Sequence, residues 1–157
     1  MKKFGVYLAW VEDNIVLLAT IGVLSSISLS AACRYLFSYN LNGAEEILGL
    51  FSAWMFFIGA IRASRTNTQI TADILGVMFR HGVAGFVIRL TRILLGLFIC
   101  STMAWWSVEF ITWEMENGGT TPALGIPVLI GKLALFLSFF GMAGYCLRDL
   151  AILFKKR

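Results

Sequence analysis

Charge is scarce in this sequence. Asp, Glu, Lys and Arg make up 14% of its 157 residues against 59% hydrophobic residues, and the mean hydropathy is +0.81. A chain this poor in polar groups cannot cover a water-soluble core, which excludes an ordinary soluble domain and indicates an integral membrane protein. Histidine is limited to His81, beside Gly82. A membrane cytochrome needs paired histidine ligands on facing helices, and nucleophilic catalysis needs a base next to a Ser or Cys. With one histidine and no acid at mid-membrane, neither chemistry has its residues, and an enzyme is not expected. Cys33, Cys100 and Cys146 stand far apart with no CxxC or metal-ligand spacing. They read as small buried hydrophobes, so neither a metal nor a cofactor is expected. After Lys2 and Lys3 there is no small-residue cleavage site, and Glu12 and Asp13 interrupt the apolar run, so the N-terminus reads as mature chain rather than a signal peptide. The net charge of +4 does not indicate a nucleic-acid partner, because the basic residues lie between apolar runs rather than in one patch.

What the chain does have is long apolar runs. A hydrocarbon core of about 30 Å takes roughly 20 helical residues to cross. Four charge-poor stretches qualify: 14–37, 43–63, 89–111 and 128–147. The third has an uncharged centre of only 93–108, so Arg89 and Arg92 must snorkel to one interface and Glu109 reach the other. Pro127 opens the fourth, where its missing N–H costs nothing. With no repeat or linker to divide it, residues 1–157 read as a single all-α membrane domain. Between the second and third crossings, Ile70, Ile74, Val77 and Met78 recur at helical spacing among polar Thr71, Asp73 and Arg80. That pattern predicts a short amphipathic helix on the cytoplasmic surface.

Four crossings put both termini on one side of the membrane. Lys2, Lys3, Arg62, Arg65, Arg80, Arg89, Arg92, Arg148, Lys155, Lys156 and Arg157 fall on that side; only Arg34 and Lys132 fall opposite. The positive-inside rule therefore predicts that both termini are cytoplasmic. Trp105, Trp106 and Trp113 flank the longer outer loop, where an aromatic belt would sit.

Glu45 and Glu46, at the mouth of the second crossing, are the conspicuous acids. Asn42 and Glu45 have the spacing of a capping box, which accounts for one glutamate. For the other, Gly22, Ser26, Ser30 and Arg34 form an i+4 stripe on the first helix, and Glu45, Gly49 and Ala53 form one on the second. Stripes of small residues let membrane helices approach closely, and these two would bring Arg34 to a glutamate at one depth. A third possibility is that the acids carry a coupling ion, as a self-contained carrier requires, but such groups belong near the midplane. Here every charge lies near a helix end. Trp54, by contrast, sits at mid-depth, where its N–H needs a partner in another helix or subunit.

The stretch "CRYLFSYNLNGAEEILGLFSAWMFFIGAIRASRTNTQITADIL" resembles the small membrane subunit, or Q subunit, of tripartite ATP-independent periplasmic (TRAP) transporters. That family shows an Arg and an aromatic closing the first helix, then paired glutamates opening the second. An aromatic and Gly-Ala come next, and then a basic-His-Ile-x-x-Asp segment. Arg34, Tyr35, Phe37, Glu45, Glu46, Trp54, Gly59, Ala60, Arg65, Ile70 and Asp73 match, and "TTPALGIP" resembles the segment before the family's last helix. Gln69 stands where the family often has His, so no role of that imidazole carries over. The resemblance implies a scaffold subunit with no transport site of its own, and Arg34, Glu45, Glu46, Trp54, Arg65 and Asp73 as structural or subunit-interface residues. The residues themselves, with no midplane charge, small-residue stripes and a mid-depth Trp, independently read as a compact four-helix body. The partners it implies, besides membrane lipid, are a large multi-spanning membrane subunit and a periplasmic substrate-binding protein. Together these would take up an organic acid, such as a C4-dicarboxylate, keto acid or sialic acid, with sodium. Two other readings stay open: a self-contained four-helix carrier, and an assembly subunit of an unrelated membrane complex.

Overall fold

A computed structural model describes residues 2–39, 41–66 and 83–155. They form four helices: α1 (Lys2–Phe37), α2 (Ala44–Thr66), α3 (Val83–Asn117) and α4 (Leu129–Lys155). All four are long and apolar enough to cross a membrane, and the described residues form no strand. The amphipathic surface helix expected around 70–80, with Asp73, lies outside the described residues.

All four helices overrun the crossings expected from charge-poor runs, α2 by only its last three residues. The 36 residues of α1 correspond to about 54 Å of helix, well beyond the hydrocarbon thickness. Its N-terminal third contains Glu12 and Asp13, and the helix continues through them because basic residues of α2 meet both. Similarly, α3 runs to Asn117, so Glu114 and Glu116 are helical rather than part of the outer loop. A scan for missing charge finds what lipid covers. It does not find where the backbone hydrogen bonds stop.

The packing is a layer, not a closed bundle. Helix α1 packs on α2, α2 on α4 and α4 on α3, and no other pair of described helices packs together. The spatial order is therefore α1–α2–α4–α3, in place of the compact body expected from the sequence. Water would penalise such a layer, since residues such as Leu18, Phe56, Phe98 and Trp105 are exposed. Lipid tails remove that penalty, because they are as apolar as the side chains and leave helix association to close contact and interhelical hydrogen bonds.

Accordingly the seams hold small residues and few large ones. Between α1 and α2, Gly22 lies under the Phe51 ring, where an added Cβ would come within 2.6 Å. In the seam of α2 with α4, Ser138 is fully buried and its hydroxyl donates to the Phe57 carbonyl at 2.7 Å. Ile61 there packs against Gly141. Ala104, Ser107 and Ala134 are buried residues of α3 and α4. Only half of the expected pair of stripes survives: Gly22 is at a seam, whereas Gly49 is exposed with nothing within 4 Å of an added Cβ.

Candidate functional site

Charged side chains are confined to the two ends of the layer. At the end carrying the start of α1 and the close of α2, the hairpin register sets Glu12 and Asp13 beside Arg62 and Arg65. Arg65 Nε lies 2.8 Å from Glu12 Oε2, and its Nη2 lies 2.9 Å from Asp13 Oδ1. Arg62 Nε approaches the same Asp13 oxygen at 3.0 Å. From α4, Tyr145 donates its hydroxyl to Glu12 Oε1 at 2.8 Å, and Arg148 reaches the Arg65 carbonyl at 3.3 Å. Arg148 also pairs with Asp149 at 2.7 Å and stands 4.9 Å from the Tyr145 ring centre.

Glu12 is the centre of this cluster, its side chain only 7% exposed. A carboxylate removed from water to that degree is tolerable only with a cation and further hydrogen bonds around it. Arg65 and Tyr145 provide them, and thereby tie three helices together. Tyr145 is also the sole described link between α1 and α4, which otherwise do not pack. Sequence reasoning picked out Arg65 but missed Glu12, Asp13, Tyr145 and Arg148. A usable signal did exist: folding the chain about residues 38–43 sets 12–13 about one helical turn from Arg65, within reach of its long side chain.

At the opposite end, the loop between α3 and α4 is held from both flanks. Its backbone closes on itself, with Thr121 N–H donating to the Ile126 carbonyl at 2.9 Å, Val128 N–H to the Gly119 carbonyl at 3.1 Å, and Ile126 N–H to the Thr121 hydroxyl at 3.1 Å. On one flank, Glu46 accepts from Ala123 N–H at 2.7 Å and from Leu124 N–H at 2.9 Å. Beside it Gly43, at φ +93°, lies under the Leu124 side chain, so a Cβ there would be both strained and in collision. On the other flank, Lys132 of α4 pairs with Glu114 of α3. Glu114 is buried and Lys132 mostly so, and the ammonium sits 3.7 Å from the Phe110 ring centre and 5.2 Å from that of Trp113.

These contacts replace two expectations. Arg34 is exposed at the end of α1 and pairs with neither glutamate, because Glu46 turns toward the 121–124 loop and Glu45 faces solvent or lipid on the face that carries Gly49. The expected Asn42–Glu45 capping box does not form either. The first turn of α2 is closed by backbone alone, with Ala44 N–H bonded to the Leu41 carbonyl and the Glu46 and Ile47 amides to the Gly43 carbonyl. Trp54 is half-buried on α2, remote from both ends. Of the six residues singled out, Arg34, Glu45 and Glu46 share the hairpin end, Arg65 is at the other, and Asp73 lies outside the described residues. Among the described residues no group of three His, Cys, Asp or Glu could hold a metal ion.

Known proteins share this chain's sequence pattern. The isethionate TRAP transporter permease protein DctMQ of Oleidesulfovibrio alaskensis is 25% identical over 158 aligned positions, covering 92% of this chain. The chain spans about a quarter (24%) of that relative's length. A family model described as "Tripartite ATP-independent periplasmic transporters, DctQ component" matches residues 23–156. That match takes in α2, α3 and α4 and the second part of α1, and the chain belongs to the DctQ-component family of tripartite ATP-independent periplasmic transporters.

Proposed function

We propose that this chain is the small membrane subunit of such a transporter, a scaffold that binds the large membrane subunit and moves no substrate itself. The observation that supports it best is the single layer of helices with charged groups only at its two ends. A transport path needs polar groups near the midplane and walls around them. The central parts of all four helices carry no charge, and one layer encloses nothing. A self-contained carrier therefore has no site here. Trp54 adds to this reading: its indole N–H finds no acceptor among the described residues, so a partner subunit can supply one. The relative's greater length is in keeping with a larger membrane portion alongside a DctQ-like stretch.

In this reading the large subunit carries an organic acid inward with sodium after a periplasmic binding protein delivers it. Arg34, Glu45 and Trp54 face partners, while Arg65 and Glu46 hold the subunit's own ends together. Tagged and expressed together with the large subunit of its transporter, the chain should co-purify with that subunit in mild detergent. Recovery of the tagged chain alone under those conditions would sink the scaffold assignment.

The orientation proposed from the basic residues places both termini in the cytoplasm. In a chain freed of its own cysteines, a cysteine placed at Asn117 should react with an impermeant thiol reagent in intact cells. One placed at Thr66 should react only after the membrane is opened. The reverse pattern would invert the topology.

A further inference from the structure

We propose that Cys100 and Cys146 form a two-thiol site between α3 and α4 for a soft, two-coordinate metal ion, best matched by Hg(II). The sequence alone treats them as small hydrophobes, 46 residues apart with no ligand spacing. The seam makes them neighbours. Cys100 precedes Glu114 by 14 residues on α3, and Cys146 lies 14 residues beyond Lys132 on α4. Fourteen residues are close to four helical turns, about 21 Å of rise, and two heptads keep a seam in register between packed helices. Since Glu114 and Lys132 are in direct contact, the two cysteines fall opposite each other farther along the same seam. One contact agrees with that register: Cys146 Sγ lies 3.7 Å from where a Cβ on Gly96, one turn from Cys100, would stand.

The donor set and its surroundings select the ion. Thiols bind soft metals, whereas a structural zinc takes four ligands and magnesium or calcium takes oxygens. No third His, Cys, Asp or Glu joins the pair among the described residues, which restricts the site to ions content with two sulfurs. Charge decides among those. One Hg(II) binding two thiols forms two metal–sulfur bonds, breaks two S–H bonds and releases two protons to water, so the product is neutral. A monovalent ion bound to two thiolates would leave a net negative charge among apolar side chains, which is costly. Both cysteines are half-buried and unpaired by disulfide, so both sulfurs are available as ligands.

The test uses the full chain in detergent, loaded with mercuric chloride and then challenged with a hundredfold excess of a small monothiol, with bound metal read by intact mass spectrometry. Wild type and Cys33→Ser should each keep one mercury, and Cys100→Ser and Cys146→Ser should each keep at least tenfold less. Zinc chloride should not be retained by any of them. Because a serine could disturb the seam, the wild-type complex is also cleaved and its fragments weighed. A single mercury should join the fragment containing Cys100 to the one containing Cys146. Mercury joining Cys33 to either of the others, retention by the Cys100→Ser or Cys146→Ser variant equal to wild type, or retention of zinc would each overturn the site.

Discussion

Replacing Arg65 with alanine should lower the thermal stability of the detergent-solubilised chain more than any substitution at Arg34. Arg65 is the one side chain that contacts both Glu12 and Asp13. Without it, Glu12 remains buried with only the Tyr145 hydroxyl beside it. Removing one member of a buried ion pair costs about 3 to 5 kcal/mol. Asp13 is 45% exposed, and solvent there screens part of the interaction, so the lower end of that range applies. Arg65→Lys should recover some of the loss, because an ammonium can reach one carboxylate but cannot span two as the planar guanidinium does. Glu12→Gln should be milder than Arg65→Ala, since the amide oxygen still accepts from Tyr145 and no charge is left stranded. A double-mutant cycle between positions 12 and 65, read as detergent melting temperature, should show coupling. Additive losses would mean that the cluster is only an arrangement at the surface.

Lys132→Met should be comparably damaging at the other end. Its side chain is 12% exposed and that of Glu114 is 4% exposed, so this pair is the drier of the two. The lost ammonium also takes with it the cation–π contact to Phe110. Methionine fills similar volume, so the loss would report the stranded Glu114 carboxylate rather than a cavity. Adding Glu114→Gln should then restore much of the stability, leaving the double variant better than Lys132→Met alone. Susceptibility to limited proteolysis between Gly118 and Pro127 should rank the variants in the same order, because this pair anchors one flank of that loop. A double variant worse than Lys132→Met would show that the charge on Glu114 is not what the lysine offsets.

Much of the fold was legible because lipid imposes a simple rule on sequence. Backbone groups must be satisfied internally, and the side chains around them must be apolar. Four runs met that rule and four helices resulted. The helix ends were less legible, since an acid such as Glu12 marks a boundary only if nothing neutralises it, and its partner is 53 residues away. The open layer left no trace in composition: a helix covered by lipid on two sides and one enclosed in a bundle are both apolar all round.

The site residues divide along the same line. Charges opposed across the α1–α2 hairpin result from folding the chain back on itself, and Glu12 with Arg65 could have been paired that way. Glu46 could not, because its ligands are backbone amides 77 and 78 residues away, and an amide carries no sequence signature. The stripes misled for a geometric reason. Gly22 and Phe51, not Gly22 and Gly49, meet across the seam, so the face of α2 bearing Glu45 is turned away from Arg34.

The scaffold role is tested most directly by uptake into proteoliposomes under an inward sodium gradient, comparing this chain alone, the large subunit alone and the two together with the binding protein and its organic acid. Uptake is expected only when both membrane subunits are present, and none from this chain by itself. Sodium-driven accumulation by this chain alone would contradict the reading, since it would require a path through a layer that has neither walls nor midplane charge.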